Sequence, residues 1–234
     1  MKKPTLFLKN RKIIDLSGEL ENNLWGYYSL PGMENIVPPV EISTIATVEN
    51  QGFFASKISV STISGTYLEA ESHVISNGRN LDQYSLDQCI LPAKVIQLPT
   101  QKPKALISVD LLTQHAPEIN PGDALLIGTG WDQQWNKPGF VLDSPNLDRK
   151  ALQWIIDKRI ALLGVDLTCI EASWSEEDEE AKGSLLSLLF ESGALLLAPI
   201  VNVRSITQKE GILLALPMKV KGTSGAPVRA IFLE

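Results

Sequence analysis

The residues best placed to do chemistry fall in one short stretch, Ile63-Ser64-Gly65-Thr66-Tyr67-Leu68-Glu69-Ala70-Glu71-Ser72-His73. Side chains of a strand alternate faces, so a regular strand here would point Ile63, Tyr67, Glu69, Glu71 and His73 the same way. That spacing suits a row of cation ligands, but the residue types mostly do not. Ile63 coordinates nothing, and Tyr67 is a hydrogen-bonding group that seldom ligates. Glu69 is a hard oxygen ligand. Glu71 would add a second carboxylate, and two neighbouring carboxylates raise one another's pKa or share a cation.

The chain has two histidines, His73 and His115. A His-dominated metal site cannot be built from that number. His115, in Leu112-Thr113-Gln114-His115-Ala116-Pro117, reads as an incidental residue at a surface helix end. His73 titrates near neutrality and suits acid–base work, or else a structural hydrogen bond.

The elements that must position these groups follow from periodicity and turn residues. Lys12–Asp15, Glu41–Val48, Phe53–Val60, Ala93–Leu98, Ala105–Val109, Ala124–Gly128, Ala161–Val165, Ala194–Leu197 and Ile212–Leu216 read as strands. A turn is expected at Asn50-Gln51-Gly52. Residues 18–40, broken by Gly18, Pro31-Gly32 and Pro38-Pro39, read as a long loop. Its Trp25, Tyr27 and Tyr28 form either a packed cluster or a pocket wall. Helices are expected over Asp148–Lys158 and Glu176–Glu191. The second has a capping signal at Ser175 and Asp178, an acidic first turn suited to the helix dipole, and a stop at Gly193.

Composition bounds the rest. The chain has 234 residues, 44% of them hydrophobic, and a net charge of −6. That is enough for a substantial core in a single domain over 1–234, and it argues against a nucleic-acid surface. Cys89 and Cys169 are too far apart for a close metal pair and read as buried reduced thiols. Met1-Lys2-Lys3 leads only into Leu6-Phe7-Leu8, too short an apolar core for a signal peptide. No apolar run approaches the ~20 residues of a membrane span. The expectation is a soluble cytoplasmic protein without membrane partners.

Gly65-Thr66 and its surroundings resemble the motif of the cyclase family, which includes bacterial kynurenine formamidases and isatin hydrolases: His-x-Gly-Thr-His-x-Asp-x-Pro-x-His. Aligned on Gly65-Thr66, the two leading His fall on Ile63 and Tyr67, the Asp on Glu69, the Pro on Glu71 and the last His on His73. Other segments follow the family's order. These are Ile14-Asp15-Leu16-Ser17, Gly122-Asp123 through Thr129-Gly130-Trp131, Ser144-Pro145-Asn146-Leu147 and Leu163-Gly164-Val165-Asp166. Leu216-Pro217-Met218-Lys219-Val220-Lys221-Gly222, with Gly225-Ala226-Pro227-Val228-Arg229-Ala230, is similar to its C-terminal signature. The resemblance covers essentially the whole chain.

The resemblance implies an α/β fold, a swivelling β/β/α domain with a mixed central sheet, assembled as a homodimer or higher homo-oligomer. It also implies hydrolysis of the C–N bond of a formamide or cyclic amide at a zinc or manganese centre. Most ligand positions are replaced here. The family's later Glu falls on Ala198, and no His lies between Glu176 and Ser192. The expected cofactor is therefore none, or a divalent cation weakly held by Glu69 and His73. Two readings remain open: an amide hydrolase, or an inactive small-molecule-binding or scaffolding protein on the same fold. The candidate catalytic residues are His73 as acid or base, Glu69 orienting water, and Tyr67 donating to an oxyanion. The candidate substrate contacts are Trp25, Glu71 and Trp131. Asp166 and Arg229 read as architectural.

Overall fold

The computed structural model describes residues 11–171 and 184–234. Its strands are β1 (Ile13–Asp15), β2 (Glu41–Ala46), β3 (Ala55–Ser59), β4 (Tyr67–Glu69), β5 (Ile90–Gln97), β6 (Leu106–Ile107), β7 (Ala124–Gly128), β8 (Asn146–Leu147), β9 (Leu162–Val165), β10 (Leu195–Ala198), β11 (Glu210–Pro217) and β12 (Gly225–Leu233). Its helices are α1 (Val48–Gln51), α2 (Val109–His115), α3 (Arg149–Asp157) and α4 (Ser184–Glu191). Asp148 caps α3 through Ala151 N–H, and Ser108 caps α2 through Leu111 N–H. The part of the second expected helix before residue 184, with its acidic run and capping signal, lies outside the described residues.

The main sheet is mixed and closes on itself. Strands run β12-β11-β5-β7-β9-β10-β4, and β4 pairs back onto β12. The β5-β7-β9-β10 core is parallel, while β4, β11 and β12 join antiparallel. One edge of β12 holds both β4, along Gly225–Pro227, and β1, along Ile231–Leu233. Closure leaves few unpaired strand edges.

The period-two alternation divides the core into two layers. Leu68, Ala93, Val95, Leu126, Leu197 and Ala215 belong to a cluster within the barrel. Their neighbours Tyr67, Ile96, Leu125, Ile127, Leu163 and Leu196 belong to an outer cluster, which α2, α3 and α4 cover with Leu112, Leu152 and Leu189. Tyr67 and Glu69 therefore face out of the barrel, toward α4 and the long loop, because Leu68 between them faces in.

Three expectations change. The stretch from Ile63 to His73 is not one regular strand: only Tyr67–Glu69 is strand, and Glu71–His73 forms a 3-10 turn. The turn is held because Glu71 binds Arg79 N, Nε and Nη2, with the shortest contact at 2.7 Å, and so folds the chain back. The segment Ala105–Val109 supplies a two-residue strand, since Ser108 already caps α2. The turn at Asn50-Gln51-Gly52 is the end of α1, with Gly52 at φ 79°.

Strands β2 and β3 pair only with each other, outside the barrel. This ribbon and its connection expose Ile45, Val48, Phe53, Phe54 and Ile58.

Candidate functional site

Gly65 and Thr66 set up the site without lining it. Gly65 has φ +66°, and a Cβ there would meet Leu20 Cδ2 at 2.5 Å, so only glycine fits. Thr66 is buried; its hydroxyl donates to Pro199 O at 2.7 Å and accepts Gly18 N–H at 3.0 Å. Together they turn the chain into β4 and fix it between β10 and β12.

A cavity of about 180 Å³ lies over the outer face of β4. Leu30, Met33, Ile63, Leu186 and Leu196 form its apolar wall. Tyr27, Tyr67, Glu69 and His73 line it together with Thr168, Cys169 and Glu171 from the loop after β9. The structure thus brings Ile63, Tyr67, Glu69 and His73 to one place. The 71–73 turn brings His73 back to Glu69, where a straight strand would have carried it away.

Glu69 is 2% exposed, and its Oε1 lies 3.1 Å from His73 Nδ1. Oε1 receives no well-directed hydrogen bond. Burial, with the Glu171 carboxylate next in effect, pushes the Glu69 carboxyl up to about 8. Burial also lowers the His73 pKa. At neutral pH both groups are uncharged, with the pair's extra proton on Glu69. Glu171 accepts Leu185 and Leu186 N–H at 3.0 and 3.2 Å, which ties α4 to the cavity. Burial, then Glu171, pushes the Cys169 thiol up to about 12, so it is not a thiolate nucleophile at neutral pH.

The two tyrosines can be assigned donor and acceptor roles by counting protons. Tyr27 Oη lies 2.7 Å from Tyr67 Oη and also donates to the carbonyl of Thr168, which can only accept. Tyr27 has one hydroxyl proton, so it is the Tyr67 proton that lies between the two oxygens. Burial first, with nearby acidic groups, raises both pKa values well above the ordinary range, so both remain phenols. Tyr67 presents an acceptor to the cavity, not the donor that oxyanion stabilisation needs.

The three expected substrate contacts lie elsewhere. Trp25 is buried, with its ring edge-to-face against Tyr27, Trp135 and Phe140 at 5.8, 5.3 and 5.0 Å. It anchors the loop that delivers Tyr27. Trp131 is buried and donates Nε1–H to Phe140 O at 2.9 Å. Glu71 is bonded to Arg79, and this partner holds its carboxyl below the usual range. His115 ends α2 and borders a separate surface groove with Thr207 and Gln208. Sequence reading missed Thr168, Cys169 and Glu171 as site residues. The available signal was their place just after Leu163-Gly164-Val165-Asp166, at the end of a buried strand.

Asp166 is fully buried and accepts the N–H groups of Thr129, Gly130 and Trp131 and the Thr129 hydroxyl, at 2.8 to 3.1 Å. It fixes the Thr129-Gly130-Trp131 turn. Arg229 pairs with Asp15 through Nε at 2.9 Å and Nη2 at 2.6 Å. In register, Ala198 faces Tyr67, and its methyl offers no ligand where the family's Glu falls. Among the described residues, no three His, Cys, Asp or Glu side chains gather closely enough to hold a metal ion.

The family model described as "Putative cyclase" matches residues 14–172, and the chain belongs to that family. It is 26% identical over 243 residues to an isatin hydrolase of Roseibium aggregatum, covering 95% of this chain and 91% of that protein. It is 24% identical over 225 residues to a kynurenine formamidase of Bacillus mycoides, covering 96% and 98%. Isatin hydrolase A from Ralstonia solanacearum has the same fold, with a TM-score of 0.84 at 22% identity over 100% of this chain and 98% of that one. An isatin hydrolase bound to the product analogue thioisatinate gives 0.82 at 24% identity over 97% and 93%. Among the described residues, no helix is long and apolar enough to cross a membrane.

Proposed function

We propose that this chain is a cyclase-family hydrolase acting on the amide C–N bond of a small formamide or cyclic amide, using a Glu69–His73 proton-transfer pair in place of a metal centre. The observation that carries the reading is the 3.1 Å contact between Glu69 Oε1 and His73 Nδ1 in the cavity over β4. Once Glu69 ionises it holds a proton on Nδ1, and the other ring nitrogen, Nε2, is then the base that takes a proton from water. The same nitrogen returns the proton to the leaving amine.

The donor set does not fit a divalent cation. Ile63 and Ala198 carry no donor atom, and the Tyr67 hydroxyl is a phenol bonded to Tyr27. No step is routed through a metal.

The test is turnover of formanilide and of isatin by the full chain. Hydrolysis above background is expected, with a drop of about 10²-fold or more in His73→Ala. Turnover that survives the substitution would refute the assignment. A second reading, ligand binding without turnover, draws on the commitment of the Tyr67 proton to Tyr27, which leaves Tyr67 no proton to donate to an oxyanion. Tight binding of isatin without any hydrolysis would favour it.

The exposed apolar ribbon supports a homodimer. Phe53→Glu with Phe54→Glu should convert a dimer to a monomer in light scattering coupled to size-exclusion chromatography. A wild-type chain that is monomeric at high concentration would contradict this.

A further inference from the structure

We propose that Glu71 and Arg79 are positioning residues for the Glu69–His73 pair: their ion pair closes the loop that aims the His73 ring at Glu69. The proposal deepens the hydrolase reading and rests on it only for its kinetic consequence. His73 lies four residues after Glu69, and in an extended chain their Cα atoms would stand roughly 13 Å apart. Instead the side chains meet, with Glu69 Oε1 at 3.1 Å from His73 Nδ1. The turn's own bonds are few. His73 N–H donates to Ala70 O at 3.0 Å and Val74 N–H to Glu71 O at 3.3 Å. A single 3-10 turn has poor hydrogen-bond geometry and needs outside support.

That support converges on residues 71 and 79. Glu71 Oε1 accepts Arg79 Nε and Nη2 at 3.1 and 2.7 Å, and Oε2 accepts the Arg79 backbone N–H at 3.1 Å. Side chain and backbone of residue 79 are both held, so the two ends of the loop cannot slide past each other. Ser72 N–H donates to Arg79 O at 3.2 Å, beside the ion pair. A Cβ on Gly78 would lie 2.8 Å from Glu71 C and 2.9 Å from Ser72 N, so glycine permits this close approach. The Arg79 guanidinium also sits 4.3 Å from the Tyr84 ring centroid, which orients it toward Glu71. The Arg79 side chain is 47% exposed, and an ion pair so exposed adds little to global stability. Its effect falls on the aim of one ring. The His73 side chain is 30% exposed and can swing toward water once the loop is released. A rigid backbone at position 71 would do the same work. Glu71 is the first residue of the turn, where an N–H has no partner within the turn, and Ala70 at φ −127° and ψ 172° has the conformation that precedes proline.

The test compares Glu71→Ala, Arg79→Ala and Glu71→Pro in the full chain by two readouts. The first is formanilide hydrolysis. Each alanine variant should lose about tenfold or more in kcat, since a small misplacement of a reacting group is costly. KM should stay within about twofold, because substrate contacts are untouched. Glu71→Pro should recover most of the lost kcat. The second readout is the ring-nitrogen NMR shift of His73, separable because the chain has two histidines and His115→Gln identifies the other. Wild type and Glu71→Pro should share one His73 Nδ1 shift, and both alanine variants should move toward that of imidazole in water. The proposal is overturned if either alanine variant keeps the wild-type kcat and shift, or if its urea midpoint falls in step with kcat. It is also overturned if folded Glu71→Pro is no better than Glu71→Ala. Where the wild type hydrolyses neither formanilide nor isatin, the hydrolase reading fails, and the nitrogen shifts alone decide whether Glu71 and Arg79 position the ring.

Discussion

Urea unfolding of the wild-type chain is expected to show stability falling as pH rises from about 4.5 to about 8, and Glu69→Gln should remove most of that fall. The folded-state pKa of Glu69 is raised to about 8 from an ordinary value of 4.5, chiefly by burial and then by Glu171. Between those values the folded chain holds a proton that the unfolded chain has released. Stability therefore declines with pH, by up to about 1.4 kcal/mol per unit, and the total is a few kcal/mol. Below pH 4.5 both states are protonated and the contribution is fully present; above about 8 it is lost. Asp166, raised to about 6 from 3.8 mainly by burial, has the same sign in the lower part of the range. The comparison with Glu69→Gln isolates Glu69, because glutamine keeps the shape and cannot ionise. Parallel pH profiles for the two proteins would show that Glu69 is ionised in the native state.

Asp166→Ala should be the most destabilising single substitution in the site region. The carboxylate accepts three backbone N–H groups and the Thr129 hydroxyl at zero exposure. Removing it leaves those donors buried without partners, at about 1–3 kcal/mol each. The sum, about 4 kcal/mol or more, is a large part of the 5–15 kcal/mol that typically holds a domain together. The expected result is a chain that unfolds at much lower urea concentration or fails to accumulate in soluble form. Asp166→Asn should recover only part of the loss, because its amide NH₂ meets donors where acceptors are needed. A loss below about 1 kcal/mol for the alanine variant would mean that water replaces the carboxylate.

Much of the barrel was legible in the chain because its strands are apolar runs between glycine and proline punctuation. Ala124–Gly128 matches strand for strand, and α3 begins at the capping Asp148. The last strand, Gly225–Leu233, was recognised as a family signature but not as a strand. Pro227 reads as a strand breaker in the sequence, although Ala226, Val228, Ala230 and Phe232 alternate inward around it, and the strand's role as partner to β11, β4 and β1 is set by contacts distant in sequence.

The site was legible as a set of residues but not as a geometry. The common face of Tyr67 and Glu69 follows from the pleat. The return of His73 does not; it depends on Glu71 and Arg79. A hint was present, since the family's Pro falls on position 71 and proline does not continue a central strand. The long loop's aromatics were noticed, but which ring reaches the cavity depends on packing. Trp25 is held among Trp135 and Phe140, which leaves Tyr27 to meet Tyr67. Glu171 carried no motif, and only the closing of α4 over the strand ends brings it to the cavity.

The most direct test of the account is the rate of formanilide and isatin hydrolysis by protein freed of metal with a chelator and dialysed, before and after zinc or manganese is added back. Metal-free protein should turn over at its full rate, with no stoichiometric gain on adding either ion. Turnover that appears only when about one metal ion is bound per chain would contradict the Glu69–His73 mechanism and return Glu69 and His73 to the role of ligands.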